Sequence, residues 1–285
     1  MDSLIFHNDR IVPLAECRLS PGQTGLLMGW GVFTTLRIYK GIPFAFERHW
    51  ARMARDAARL GVPLPYQAHA VRQATMEVAR ANGRPESMAR VTFIRNTGGL
   101  WSESADRAPT DLLIFTRELV RWPASNRLQL EPDGVTSAGP YAGTKILSWA
   151  LPSSRNERAH AAGFDDALLQ NERRQIAECS SANFFLVRAG KVLTPPLSSG
   201  CLPGITREIL LEIAPQAGIE IEERDLTEAD LDTAEEAFIS STTREVAPVG
   251  FISPAWNFDT PGKVTSRLEG LFTSAIHAYL SSHAI

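Results

Sequence analysis

The chain has 285 residues, 44% hydrophobic and 21% charged, and a formal charge of -3 at pH 7. That is enough apolar material for two cores, while the weak negative charge and the lack of a basic run argue against nucleic acid as a main partner. No stretch approaches a membrane span, the N-terminus lacks the regions of a signal peptide, and Cys17, Cys179 and Cys201 read as free thiols of a cytoplasmic protein.

Short strands are expected at Ser3–Phe6 and Arg10–Pro13. Gly31–Tyr39 is rich in β-branched and aromatic residues and reaches Ile42–Phe46 through Lys40-Gly41, which reads as a hairpin. Glu47–Leu60 carries Trp50, Met53, Ala57 and Leu60 at helical spacing, and Gln67–Ala81 is a second helix stopped by Asn82-Gly83. Met88–Arg95 and Asp111–Thr116 complete a small N-terminal α+β domain over 1–117. A linker over 118–125, with Trp122-Pro123 inside it, leads to a larger domain over 126–285. There the pattern predicts helices near Ile146–Ala162, Thr206–Ala217 and Val264–Ser281. Strands are expected at Asp166–Gln170, Asn183–Arg188, Ile219–Glu222, Ala237–Ser241 and Val246–Ile252.

Lys145 stands out among only four lysines. The other three lie beside turn glycines, whereas Lys145 leads from Tyr141-Ala142-Gly143-Thr144 into an apolar segment. Partial desolvation there lowers an ammonium pKa toward a nucleophilic amine. The plain alternative is an ordinary lysine at a helix start. Arg52 shares its helix with Arg48, Arg55 and Arg59, and is either a phosphate-gripping fork or part of a solvated basic face. Gly200–Arg207 opens from a Gly/Pro turn into a helix whose free N–H groups and positive end suit an anion. It could equally be a turn capped by Thr206. Ser240–Glu245 follows an apolar strand, and its hydroxyls complete a phosphate cup or simply a polar turn. Glu178 lies between apolar strand segments, where a half-buried carboxylate needs a partner. A lysine, a carboxylate and an anion cup are together the parts needed to hold pyridoxal 5'-phosphate. No P-loop, GxGxxG, GxSxG or HExxH motif competes, and the six histidines lack metal-ligand spacing.

These pieces resemble the class-IV aminotransferases, the fold-type-IV pyridoxal-phosphate enzymes. The matching motifs are Gly29-Trp30-Gly31-Val32-Phe33, His49-x-x-Arg52, Lys145, Glu178-x-Ser180-x-Ala182-Asn183, Gly204-Ile205-Thr206-Arg207 and Ser240-Ser241-Thr242-Thr243-x-Glu245-Val246-x-Pro248, in family order over nearly the whole chain. The resemblance implies a two-domain α+β fold with the cofactor site between the domains, and a homodimer. It implies that Lys145 is the Schiff-base lysine and the proton carrier, and that Glu178 faces the pyridine nitrogen. Arg52, Ile205, Thr206, Ser241 and Thr242 would hold the phosphate, and Ser180 and Ser181 would line the cofactor near Glu178. Phe33 and Arg95 are the substrate-contact candidates, with an edge-strand surface arginine as the alternative for Arg95.

Two departures bear on the substrate. Trp30 stands where many relatives have aspartate, and Ala150 where branched-chain enzymes have tyrosine. Arg95–Ser102 resembles the glycine-rich loop of the aminodeoxychorismate lyases. The leading expectation is an aminotransferase passing an amino group from an amino acid or amine to a 2-oxo acid, with a D-amino-acid-like rather than branched-chain pocket. An aminodeoxychorismate lyase, releasing pyruvate and 4-aminobenzoate, is the alternative. A non-catalytic binding protein is a remote third, disfavoured by the presence of both Lys145 and Glu178.

Overall fold

The computed structural model describes residues 1–98 and 108–283. Gly99–Ser102, half of the loop compared with the lyases, lies outside them. The chain divides into two compact units.

The first unit comprises Met1–Val120, Lys145–Trp149 and Ala278–Ile285. Its elements are β1 (Leu4–His7), β2 (Arg10–Pro13), α1 (Thr24–Met28), β3 (Gly31–Tyr39), β4 (Ile42–Pro43), α2 (Phe46–Leu60), α3 (Ala68–Ala81), β5 (Ser87–Arg95) and β6 (Thr110–Arg117). The strands form an antiparallel sheet in the order β2-β1-β6-β5-β3-β4. Strand alternation decides its two faces. Val32, Leu36 and Ile38 of β3, with Ala89, Val91 and Phe93 of β5, pack against Met53 and Ala57 of α2 and Val71, Ala74 and Val78 of α3. Each large apolar side chain so buried contributes about 1.5–3 kcal/mol. α2 ends where Gly61 takes a left-handed conformation that residues with a Cβ rarely adopt.

The second unit comprises Arg121–Thr144 and Ala150–His277. It holds β7 (Asn126–Val135), α4 (Ala150–Ala161), β8 (Asp166–Asn171), β9 (Ile176–Cys179), β10 (Asn183–Arg188), β11 (Lys191–Thr194), α5 (Ile205–Gln216), β12 (Ile221–Glu223), α6 (Glu228–Leu231), β13 (Glu236–Ser241), β14 (Glu245–Ile252), β15 (Trp256–Asn257) and most of α7 (Lys263–His283). The sheet is mixed, in the order β12-β11-β10-β13-β14-β7-β8-β9, with β15 on β14. Phe184, Leu186, Ile239, Val249 and Leu128 fill its core.

The α+β architecture matches the expectation from sequence. Two local features differ. The helix expected near Ile146 begins at Ala150. Residues 145–149, which the sequence reading gives to the second domain, cluster with the first unit instead. The cause is backbone pairing: Ile146 bridges Val32, the Phe33 N–H donates to Lys145 O, and the Leu147 N–H donates to Gly31 O. Gly31 permits this close approach, since a Cβ there would overlap Phe93 O and the Leu147 side chain.

Candidate active site

In the first unit the chemistry gathers around Lys145. Its backbone is held on both sides. The Lys145 N–H donates to Asp56 Oδ2 at 2.9 Å, and its carbonyl accepts the Phe33 N–H at 3.2 Å. Asp56 is fully buried on α2, with Arg55 as its second partner. The Lys145 Nζ lies 4.0 Å from the Trp149 ring centre and 4.9 Å from that of Phe33, and the two rings meet edge to face. An amine set against two aromatic rings is partly withdrawn from water.

One turn before Asp56, α2 presents Arg52. The arginines of this helix separate by burial: Arg52 is buried, whereas Arg55 and Arg59 are exposed. The solvated-face reading therefore does not describe Arg52. Its Nη2 donates to Thr34 Oγ1 at 3.0 Å, and Thr34 Oγ1 lies 2.7 Å from His49 Nδ1. Burial, aided by the Arg52 charge, lowers the His49 pKa well below 6.5, so the ring is neutral. Thr34 Oγ1 thus joins the Arg52 guanidinium to the neutral His49 ring.

Phe33 lies beside the lysine, as a substrate-contact residue must. Arg95 does not. It occupies the end of β5 on the alternate face, stacked over Trp30 at 4.1 Å with Nε donating to Thr97 O. The arginine against Phe33 is Arg90, whose guanidinium carbon lies 3.6 Å from the ring centre. Burial lowers its pKa. Thr92 pairs with Phe33 across the strands, and its buried hydroxyl has no partner among the described residues. Sequence reading passed over Arg90. The available signal was the register of β5 with β3, which puts residues 90, 92 and 33 on one face.

The second unit carries the other candidates. Glu178, half-buried on β9, accepts the Leu202 N–H at 3.0 Å and the Asn183 side-chain N–H at 3.5 Å. Asn183 also donates to Leu202 O and pairs in register with Ser240. Its Oδ1 sits where a Cβ on Gly204 would overlap it. Gly204, not Thr206, is the N-cap of α5, and no side chain caps that helix end. The first turn, Ile205 and Thr206, therefore begins beside the end of β13. Ser240 Oγ there is buried without a partner among the described residues. Ser241 Oγ accepts the Arg244 N–H, and Thr242 is half-buried in the same turn.

Ser180 and Ser181 are committed elsewhere. Both hydroxyls donate to the buried carboxylate of Asp166, Ser181 at 2.6 Å. Cys179 and Cys201 are buried thiols with raised pKa values, Cys201 at about 11 because of desolvation, so neither is a ready nucleophile. Among the described residues no cluster of metal-ligating side chains occurs, and no helix is long and apolar enough to cross a membrane.

Residues 31–252 match the family model described as amino-transferase class IV. The chain belongs to this family. Among its relatives, a Methanocaldococcus jannaschii protein with a provisional branched-chain-amino-acid aminotransferase name is 28% identical over 94% of both chains. The D-alanine aminotransferase of Listeria innocua is 25% identical, again over 94% of both. The branched-chain aminotransferase of the thermophilic archaeon Thermoproteus uzoniensis, solved with norvaline, superimposes with a TM-score of 0.87 at 26% identity, covering 99% of this chain and 98% of that one. The fold is that of the fold-type-IV enzymes.

Pyridoxal 5'-phosphate is the cofactor of this class. The residues present fit it. An aldehyde calls for a partly desolvated amine, and Lys145 provides one. A phosphate calls for unpaired donors, and the uncapped start of α5 beside the orphaned Ser240 hydroxyl provides them. A ring N–H calls for a carboxylate, and Glu178 is one already oriented by two donors.

Proposed function

We propose that this class-IV aminotransferase moves an amino group from an α-amino acid to a 2-oxo acid, with a D-amino-acid-like rather than a branched-chain pocket. The observation that carries the reading is the setting of Lys145: a backbone fixed by Asp56 and Phe33 and an amine flanked by two aromatic rings.

Bound pyridoxal phosphate supplies the electron sink that makes a substrate Cα–H acidic. Lys145 Nζ is then the group that accepts and returns that proton, and fixing its backbone limits the arc its amine sweeps. The Phe33 and Trp149 rings exclude water from the amine. Glu178 and Lys145 serve the same cofactor, Glu178 as the carboxylate for the ring nitrogen. Arg52, the first turn of α5, Ser241 and Thr242 receive the phosphate. Thr34 holds Arg52 in place, and the neutral His49 hydrogen-bonds Thr34 in turn. Arg90, in place of Arg95, takes the substrate carboxylate, with the Thr92 hydroxyl as a second donor. Ala150 stands where a branched-chain enzyme carries tyrosine, which favours the D-amino-acid-like pocket.

The test is the absorbance of the holoenzyme with single donors: D-alanine, L-leucine and the carboxylate-free isopropylamine. D-alanine should convert the lysine-bound band to that of pyridoxamine 5'-phosphate, L-leucine less, and isopropylamine not at all. Lys145→Ala should lack the starting band. A holoenzyme unmoved by every donor that nonetheless releases 4-aminobenzoate from aminodeoxychorismate would replace this reading with the lyase. A response to isopropylamine equal to that of D-alanine would remove Arg90 from its role.

A further inference from the structure

We propose that Asp166 and Arg244 form a positioning pair that sets the shape of the phosphate-receiving turn Ser241–Thr243, and thereby decides how far the protein prefers a phosphorylated cofactor. The proposal rests on the function proposed above.

The pair is buried: Arg244 Nη2 lies 3.2 Å from Asp166 Oδ2, with side chains 2% and 0% exposed. Such a pair gains little stability over apolar residues of the same size, because desolvation offsets the attraction. What it provides is geometry. Asp166, at the start of β8, accepts the Ser180 and Ser181 hydroxyls, its own strand's Ala167 N–H and, weakly, the Asn156 side chain. Arg244 donates its Nη1 to Ser181 Oγ at 2.7 Å and lies over the Trp122 ring at 3.9 Å. Trp122 Nε1 in turn donates to Thr243 O at 3.0 Å, and Ser241 Oγ accepts the Arg244 N–H at 3.1 Å.

The turn is thus tied at Ser241, Thr243 and Arg244. The ties converge on one carboxylate, which also fixes Ser180 and Ser181, the first of them two residues beyond Glu178. A turn left to itself would use its hydroxyls and N–H groups on its own backbone or on water. Held by Arg244 from beneath, it keeps one presentation beside Ser240 and the start of α5. Arg244 needs no contact with the cofactor for this. Its guanidinium engages Asp166, Ser181 and Trp122, so it acts on the phosphate through Ser241 and Thr243.

Equilibrium binding of pyridoxal 5'-phosphate and of pyridoxal, which lacks the phosphate, separates a positioning role from simple stabilisation. In Arg244→Gln the phosphorylated form should lose about tenfold or more in affinity, the scale of one misplaced charge-assisted hydrogen bond. Pyridoxal should be held as in the wild type. Arg244→Gln can unfold by leaving Asp166 buried without its partner, so the double variant Asp166→Asn/Arg244→Gln, with no buried charge, is measured alongside it. It should regain thermal stability yet still lack the phosphate preference. Equal loss for both aldehydes, or a wild-type preference in the folded double variant, would overturn the proposal. Binding of inorganic phosphate to Lys145→Ala, with and without Arg244→Gln, reads the turn separately from the lysine. If the wild type forms no lysine-bound band with either aldehyde, the aminotransferase reading fails. If phosphate binding survives Arg244→Gln, the pair fails.

Discussion

His49 supports the proposed phosphate grip through Thr34. It is fully enclosed, kept neutral by burial and by the Arg52 charge, and its Nδ1 shares a hydrogen bond with the hydroxyl that Arg52 bonds. Its folded pKa lies well below 6.5, whereas the unfolded chain titrates near that value. Above pH 6.5 neither state binds the proton and His49 is without effect on stability. Below it the unfolded state binds a proton that the folded state refuses, so stability falls as pH drops from about 7 toward the folded value. The loss is about 1.4 kcal/mol for each unit below 6.5. His49→Gln keeps a side-chain amide that can hydrogen-bond Thr34 and removes the titration. Melting temperatures followed from pH 7.5 to 5.5 should fall more steeply in the wild type than in this variant. Equal slopes would mean that His49 takes up a proton in the fold as readily as in the unfolded chain.

At the scale of elements, the start of α5 makes the sharpest demand on sequence. Gly204 is its N-cap, and a Cβ there would overlap Asn183 Oδ1, the same side chain that orients Glu178 and pairs with Ser240. Gly204→Ala should therefore cost about 1–3 kcal/mol of stability by overpacking. It should also weaken binding of inorganic phosphate, which calorimetry on both proteins would measure; unchanged phosphate binding would detach this helix end from the anion cup. Elements whose signals are local were legible in the chain. The β3–β4 hairpin, α2 with its Gly61 stop, α3, α5 and α7 follow from period and punctuation. Those set by distant partners were not. Residues 146–149 have an apolar pattern that continues into α4, but pairing with β3 claims them. Pro152, of a type readily accommodated in a first helical turn, was the overlooked sign that the helix starts at Ala150. β7 was hidden by Pro132-Asp133-Gly134, a turn signal that the structure absorbs as an irregularity against β8. Glu178 stands out in the sequence because a carboxylate among apolar residues is conspicuous. The inward turn of Ser180 and Ser181 was not, because Asp166 lies fourteen residues away from the nearer of them.

For the whole molecule, the consequence is that stability and cofactor are linked. Each unit has its own sheet and core, and the proposed cofactor contacts draw on both: Lys145 and Arg52 from one, Glu178 and the start of α5 from the other. A ligand bound only to the folded chain stabilises it by RT ln(1 + [L]/Kd), about 2.7 kcal/mol at a hundredfold excess over Kd. Pyridoxal phosphate should therefore raise the melting of both units in calorimetry, leaving no separate early transition. Lys145→Ala should keep the part of that shift that comes from phosphate and ring contacts and lose the covalent part. Pyridoxal alone should then stabilise the wild type but not the variant, since without phosphate the lysine is its main anchor. A shift confined to one transition would mean that the other unit's residues do not engage the cofactor. An equal shift in wild type and Lys145→Ala would take the lysine out of the site, and the proposed aminotransferase chemistry with it.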